Sequence, residues 1–344
     1  MRRRRRLASW SAVLELDCNV TSEVRMTEAT TVSRSLAAEA NCAGEAAFFR
    51  FRLGALSCVS LSDGYVTTPA QMAAPEIPPD ELRTFLSACG ESPDVIDTPI
   101  SCLLVRLPEP RMTVLVDAGI GRVPGPDGHA IPTAGRLLRS FADAGIAPAE
   151  VDAVLVSHIH PDHIGGLFDD DGQPAFPNAT YYVSNEELAF WSRPDLDGCL
   201  MPDFMKADVA QVAQRFIALA AHRMIRFAAG DTLPGGIETV LLPGHTPGQV
   251  GFRFRSQGQA MFYTADAAGH PFISIRHEDW RFSFDSDPAL AIETRRKLVA
   301  HLLQERCFHF TPHFPWPGVG RTLDEGGERI WKPGLQLHDA HGAA

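Results

Sequence analysis

Short apolar runs that end in turn-forming residues recur along the chain from about Phe48 onwards. Residues 49–53 alternate between apolar and polar positions, and residues 55–61 form a second apolar run that ends at the potential turn Ser62-Asp63-Gly64. Residues 100–107 and 112–116 are two further apolar runs separated by two prolines. These patterns predict the strands of a sheet, with the last two runs paired as neighbours.

Apolar residues at helical spacing lie between and after these strands. The predicted helices span residues 80–88, 133–144, 203–222 and 289–306. Ser184 and Glu187 have the spacing of a capping box, which predicts a further helix that runs through Trp191. Because strand and helix patterns alternate, the sequence predicts a layered α/β domain and not an all-β one.

The beginning of the chain has a different composition. Residues 1–47 show little periodicity and predict a disordered leader, which leaves residues 48–344 as a single domain. The arginines at positions 2–6 superficially resemble a twin-arginine export signal, but Glu15 and Asp17 interrupt the apolar segment that such a signal needs. A cytoplasmic location is therefore favoured over periplasmic export.

The amino-acid composition argues against two kinds of partner, nucleic acid and membrane. The 42 acidic residues exceed the 31 basic ones and give a net charge of −11, which disfavours a nucleic-acid partner. No stretch approaches 18 consecutive apolar residues, so no membrane span is predicted. The 7 cysteines are odd in number and contain no Cys-x-x-Cys pair, which is typical of thiols in a reducing compartment.

Three histidines and an aspartate stand within the six positions 158–163, shortly after the apolar run 151–156. His158 and His160 are two residues apart, so they project to the same side of an extended segment. Pro161 and the Gly165-Gly166 pair indicate a loop that leaves a strand. Imidazole and carboxylate are good ligands for zinc and similar ions. With 13 histidines in 344 residues, this grouping predicts a metal site better than a polar turn.

Three more potential ligands follow downstream, each directly after an apolar run. They are His245 after residues 240–242, Asp266 after residues 261–263, and His313 after residues 307–310. Each is weak evidence alone, because a loop such as Gly-His-Thr-Pro-Gly is as often structural as functional. Together with the first group they form a specific pattern.

The pattern His158-x-His160-x-Asp162-His163, followed by a histidine, an aspartate and a histidine, resembles the signature of the metallo-β-lactamase superfamily. The resemblance implies an αββα sandwich with a hydrolytic centre of two divalent metal ions. By matching positions, it assigns His158, His160 and His245 to one ion, Asp162, His163 and His313 to the other, and Asp266 as the bridge.

The resemblance also implies roles around these ligands. Asp162 and Asp266 are the candidate catalytic residues, and Asp266 could also take up or steer a proton. Asp117 ends a strand in an Asp-x-Gly sequence, where relatives carry a carboxylate that orients a ligand and fixes its tautomer; an ordinary turn is the alternative. Relatives that reduce oxygen at two irons carry glutamate at the position of His160, so the nitrogen-rich set favours zinc and hydrolysis.

Several segments narrow the resemblance to the branch of methyl parathion hydrolase and the acyl-homoserine lactonases. They are residues 51–54, 176–180, 282–288, 312–318 and 329–331. This branch implies that a hydroxide between two ions attacks a small-molecule lactone, carboxylic ester or phosphotriester, and that the chain can form a homodimer. Gln249 departs from the branch, since many relatives carry there a second histidine that is not a ligand.

Aromatic residues near the last two ligands could line an apolar pocket for an acyl or aryl group. They are Phe272, Trp280, Phe282, Phe314 and Trp316. Phe314 and Trp316 are the strongest candidates because they are closest in sequence to His313. The alternative for each is a place in the core.

Five other functions remain open from the sequence. A glyoxalase II-like thioesterase and a β-lactamase would use the same ligands. A catalytically inactive metal-binding protein is the alternative from another class, although the complete ligand set argues against it. A nuclease on this fold is disfavoured by the acidic balance, and persulfide dioxygenation would need a single iron and oxygen.

Overall fold

The structure, a computed structural model, describes residues 47–125 and 128–334, and the strands in these ranges form two sheets of seven strands each. Apart from Ala47, the predicted leader lies outside the described residues. The first sheet contains, in spatial order, β1 (Phe48–Leu53), β2 (Leu56–Pro69), β3 (Val95–Pro108), β4 (Arg111–Val116), β5 (Ala153–Leu155), β6 (Thr180–Ser184) and β7 (Met224–Phe227). Neighbours are antiparallel from β1 to β4 and parallel from β4 to β7.

The second sheet is built from the later part of the chain. It contains β8 (Thr232–Leu233), β9 (Ile237–Leu241), β10 (Val250–Ser256), β11 (Gln259–Tyr263), β12 (Phe308–Phe310), β13 (Val319–Glu325) and β14 (Glu328–Pro333). All neighbours are antiparallel except β11 and β12, which are parallel. The long helix between these two strands makes the crossover that a parallel pair needs.

The α-helices are α1 (Pro79–Ala88), α2 (Leu137–Asp143), α3 (Pro161–Ile164), α4 (Asn185–Ser192), α5 (Asp203–Ala220), α6 (Ile273–Arg276) and α7 (Pro288–Glu305). Of these, α2, α4 and α5 pack on the outer face of the first sheet, and α7 packs on that of the second. Within the described part of the chain, none of them is long and apolar enough to cross a membrane. The predicted helices are all present, and α2 is shorter than the predicted span because its first turn begins only at Leu137.

Three apolar clusters define the layers. The central cluster lies between the sheets and contains Val105 and Val116 from the first sheet with Phe252 and Phe310 from the second. A second cluster joins the first sheet to α2, α4 and α5, and a third joins the second sheet to α7. The order helix, sheet, sheet, helix confirms the predicted αββα sandwich.

The turn predicted at Ser62-Asp63-Gly64 is wrong. The strand continues to Pro69 through a register shift between Ser62 and Gly64, and Gly64 accommodates it with a φ of +98°. Because β2 is longer than expected, it also pairs with residues 95–99, so β3 begins five residues earlier than predicted. The Asp63 carboxylate is fully buried and accepts hydrogen bonds from the backbone N–H groups of Ile120 and Leu137, both at 2.7 Å.

Candidate metal centre

All seven predicted ligands lie near the carboxyl ends of strands. β5 leads into His158 and His160, and the short helix α3 begins at Pro161 and presents Asp162 and His163. His245 follows β9, Asp266 follows β11, and His313 follows β12. Since these strand ends meet at one edge of the sandwich, side chains more than 150 positions apart in sequence come together in two adjoining clusters.

The first cluster consists of His158, His160 and His245, all buried. Nδ1 of His160 lies 3.1 Å from Nε2 of His158 and 2.9 Å from Nε2 of His245. Tetrahedral ligands about 2.0 Å from an ion would stand about 3.3 Å apart, so the spacing fits a shared divalent ion. Three imidazole nitrogens that converge in this way could hold one.

The second cluster consists of Asp162, His163, Asp266 and His313. Nε2 of His163 lies 3.7 Å from Oδ1 of Asp162, and Nε2 of His313 lies 3.4 Å from Oδ2 of the same carboxylate. The Asp162 side chain is 29% exposed, whereas the His163 and His313 side chains are 1% and 4% exposed. The centre is therefore open to solvent on the side of Asp162.

Asp266 belongs to the second cluster and also faces the first. Its Oδ2 lies 3.1 Å from Nε2 of His313 and 3.5 Å from Nε2 of His245, and its Oδ1 lies 3.3 Å from Nε2 of His163. Among the described residues, neither Oδ1 of Asp266 nor Nε2 of His163 has a hydrogen-bond partner, although both atoms are buried. Buried polar atoms without partners are costly, and a divalent ion would satisfy both.

The electrostatics of the clusters also fit metal binding. Burial lowers the pKa of His158 and of His160 well below the usual range, which keeps both imidazoles in the neutral, ligating form. Burial acts to raise the pKa of Asp266, but the neighbouring His313 and His163 outweigh it and hold that pKa well below its usual range. His158 and His160 thus present neutral nitrogens close to a permanent carboxylate.

Asp117 orients ligands of both clusters. Its Oδ2 accepts hydrogen bonds from Nδ1 of His163 at 2.8 Å, from the Tyr263 hydroxyl at 2.7 Å and from the Ser157 hydroxyl at 2.6 Å. The Ser157 hydroxyl in turn lies 3.1 Å from Nδ1 of His158. This network places the proton of each histidine on Nδ1 and leaves Nε2 free to ligate. Ser157 was not a sequence-predicted residue of the site.

An Asp117→Asn substitution tests this role. The amide would bring an N–H group towards donors that need an acceptor, so we expect the affinity for Zn²⁺ to fall about 10- to 100-fold. Competition with a chromophoric chelator measures this change. Asp152→Asn is the matched control, because the exposed Asp152 carboxylate accepts from the backbone N–H of Thr113 and contacts no ligand. Equal affinities in the two variants would contradict the role of Asp117.

Other groups that the sequence did not predict fix the remaining histidines. Nδ1 of His245 lies 3.0 Å from Oδ1 of Asp285, whose Oδ2 is 3.1 Å from the Arg295 guanidinium. Nδ1 of His313 donates to the Pro99 carbonyl at 2.7 Å. The only sequence signal for Asp285 is its place in the aspartate-rich segment before α7. These bonds orient Nε2 of both histidines towards the centre.

The predicted pocket aromatics lie in different environments. Phe314 is fully buried and packs edge-on against Trp331 at 5.4 Å, so it is a core residue and lines no accessible pocket. Trp280 stacks on His277 at 4.0 Å, while Phe272 and Trp316 are half-buried. Of the five predicted aromatics, Phe282 has a ring that contacts a ligand, since it stacks on His245 with centroids 6.1 Å apart.

Comparison with known proteins identifies the family. The sequence profile described as "Metallo-beta-lactamase superfamily" matches residues 95–302, which is more than half of the chain and includes six of the seven ligands. The chain belongs to the metallo-beta-lactamase superfamily. Its two clusters of histidine and aspartate side chains could hold metal ions.

Individual relatives agree with this assignment. The chain is 32% identical over 128 residues to the N-acyl homoserine lactonase AttM of Agrobacterium fabrum. The match covers 36% of this chain and 44% of that protein, so the chain spans less than half the length of the curated relatives it matches.

Solved structures match over most of the chain. AidC, a dizinc quorum-quenching lactonase in complex with a product, has a TM-score of 0.78 and 29% identity, and the match covers 85% of this chain and 99% of AidC. The hydrolase AbOPH of the β-lactamase superfamily has a TM-score of 0.74 and 26% identity, with 86% and 99% of the two chains covered.

Proposed function

We propose that this chain is a dinuclear lactonase that opens N-acyl homoserine lactones. The observation that carries the proposal is the position of Asp266, whose two carboxylate oxygens face histidines of both clusters. A single carboxylate in this position suits two ions held side by side. The lactone substrate is supported by similarity to AttM and AidC, both of which are lactonases.

The donor set favours zinc, since five of the seven ligands are imidazoles. When bound, such ions supply a nucleophile at neutral pH by lowering the pKa of water, and they polarise the carbonyl that is attacked. His158, His160 and His245 would hold the first ion. Asp162, His163 and His313 would hold the second, and Asp266 would bridge them.

Side chains of the site position the two clusters and provide a route for protons. Because its pKa is low, Asp266 stays a carboxylate at neutral pH, so it keeps facing the histidines of both clusters through the reaction. Asp162 is the most exposed of the ligands in its cluster and is placed to pass a proton between the centre and solvent. The buried histidines exclude water from the back of the site.

The aromatic side of the centre suits an acyl substrate. The half-buried Phe282 covers His245 and contacts Phe284, with centroids 5.2 Å apart. The backbone N–H of Ser283 donates to the Met72 carbonyl at 3.0 Å, which joins this wall to the segment after β2. An apolar wall beside the first cluster favours a neutral substrate with a hydrocarbon chain over a charged one.

One experiment tests both the metal centre and the substrate. The purified chain would be analysed for metal and assayed with N-hexanoyl homoserine lactone, an aryl ester and a dialkyl aryl phosphate, with His160→Ala as control. We expect about two ions per chain and a higher kcat/KM for the lactone than for the other substrates. Two ions without lactone turnover would contradict the substrate, and a chain that takes up no ion after reconstitution would contradict the centre itself.

A further inference from the structure

Glu187 is a buried carboxylate beside the metal centre that the proposed reaction does not use. As the capping-box spacing predicts, the Ser184 hydroxyl accepts a hydrogen bond from the Glu187 backbone N–H at 3.1 Å. The Glu187 side chain does not complete the box by returning to the start of α4. It points into the protein interior, and the residue is only 1% exposed.

The Glu187 carboxylate accepts four hydrogen bonds there. Oε1 accepts from the backbone N–H of Ile159 at 2.8 Å and from the indole N–H of Trp191 at 2.7 Å. Oε2 accepts from the Thr246 hydroxyl at 2.6 Å and from the backbone N–H of Gly248 at 3.2 Å. The Glu187 side chain thus links three segments: its own helix α4, the segment that contains Ile159 and the segment that contains Thr246 and Gly248.

Each of these segments carries or supports a ligand of the first cluster. Ile159 stands between His158 and His160. Thr246 directly follows His245. The Trp191 ring packs edge-on against the His160 ring, with centroids 5.5 Å apart at 72°. All three ligands of the first cluster are therefore tied to one carboxylate, whereas its four donors include no residue of the second cluster or its neighbours in sequence.

The packing around Gly248 shows how tightly this connection is built. A Cβ atom at Gly248 would lie 2.0 Å from the backbone nitrogen of Glu187, so only glycine allows this approach. The Ser184 hydroxyl also donates to the Gly248 carbonyl at 2.7 Å. The loop that carries His245 is thus fixed directly against the beginning of α4.

A carboxylate suits this position because it offers acceptors only. Its four partners are all donors, and the two backbone N–H groups cannot reverse their role. None of the four partners is positively charged, and burial raises the pKa of Glu187. A buried carboxylate without a cationic partner is costly, so its place here calls for an explanation beyond stability.

We propose that Glu187 is a positioning residue that holds the two loops of the first cluster at the spacing its ion requires. The inference rests on the proposed function, because it assumes that the first cluster binds an ion. In Glu187→Gln the amide N–H group would face the N–H of Gly248 or that of Ile159, so one loop would lose its connection to the other. The second cluster would be unaffected.

Zn²⁺ titration of the metal-free protein against a chromophoric chelator tests this proposal. In Glu187→Gln we expect the affinity of one of the two sites to fall about 10- to 100-fold while the other keeps its wild-type value. The Zn²⁺ affinity of the unaffected site should equal that of the site left intact in His245→Ala, in which the first cluster is incomplete. A second readout needs no metal: amide hydrogen exchange at Ile159 and Gly248 should be faster in the metal-free variant.

Asp63→Asn is the matched control, since Asp63 is also a buried carboxylate that accepts backbone N–H groups but ties down no loop of the first cluster. It should leave the affinity of the first site unchanged. An equal loss in both variants, or no loss in Glu187→Gln, would overturn the proposal. If Glu187→Gln does not fold, Thr246→Val removes a single donor and should shift the same site in the same direction. A wild-type chain that binds fewer than two ions would contradict the proposed function instead.

Discussion

Replacing Asp266 with asparagine is expected to lower kcat/KM for lactone hydrolysis at least about 10³-fold, the upper end of the loss seen when one charge-stabilising group is removed from an active site. The carboxylate lies within 3.5 Å of Nε2 of His163, His245 and His313. A neutral amide would turn an N–H group towards at least one of these nitrogens and would take away the negative charge between the clusters. Steady-state kinetics with N-hexanoyl homoserine lactone measures the effect.

The metal content of Asp266→Asn separates two origins of that loss. If the carboxylate serves both clusters, the purified variant should hold less than the wild-type amount of metal, and added Zn²⁺ should restore little activity. Asp169→Asn is the control, because the exposed Asp169 carboxylate accepts from the Gln173 backbone N–H and is not one of the ligands. An Asp266→Asn variant with wild-type metal content and wild-type kcat/KM would refute a bridging role.

The ligands could be predicted from the sequence because each carries a local signal. His245, Asp266 and His313 all follow an apolar strand, and the ends of neighbouring strands necessarily meet at a sheet edge. The structure brings all seven ligand side chains together. The groups that orient them carry no such signal. Asp285 lies 40 positions from His245, and only the packing of α7 against the second sheet brings the two within hydrogen-bond distance.

Two sequence-based predictions, for Phe314 and for the turn at Asp63-Gly64, were wrong for physical reasons. Nearness in sequence to His313 suggested that Phe314 lines the pocket, but successive side chains point in different directions, and Phe314 points into the core under α7. Asp63 and Gly64 have the composition of a turn, yet the buried carboxylate and the register shift let β2 continue. A distant partner, such as the N–H of Leu137, decides such cases and is invisible to local patterns.

Glu187 shows that a correct local prediction can still miss long-range contacts. Its spacing from Ser184 predicted a capping box, and the half of the box made by Ser184 is present. The other half is replaced by bonds to Ile159 and Thr246, which are 28 and 59 positions away. A local rule placed the helix correctly while the same residue made long-range contacts that the rule does not consider.

Removal of metal should abolish activity and also lower the stability of the fold. At a free Zn²⁺ concentration about 1,000 times Kd, binding to the native state alone adds about 4 kcal/mol to the free energy of unfolding for each site. Calorimetric unfolding in Zn²⁺ and after dialysis against a chelator measures the difference in Tm. His160→Ala should show a smaller difference because its first cluster is incomplete.

This stabilisation should weaken as the pH falls. Burial acts to lower the pKa of His163, but the carboxylates of Asp266, Asp162 and Asp117 outweigh it and raise that pKa well above the usual value. Burial likewise acts to lower the pKa of His313, but the Asp266 carboxylate outweighs it and raises that pKa above the usual value. Both imidazoles must lose a proton to ligate, so protons compete with the ion, and the competition grows at lower pH. The gain in Tm from Zn²⁺ should therefore be smaller at pH 6 than at pH 8. A gain that is equal at both pH values would mean that the ion binds elsewhere.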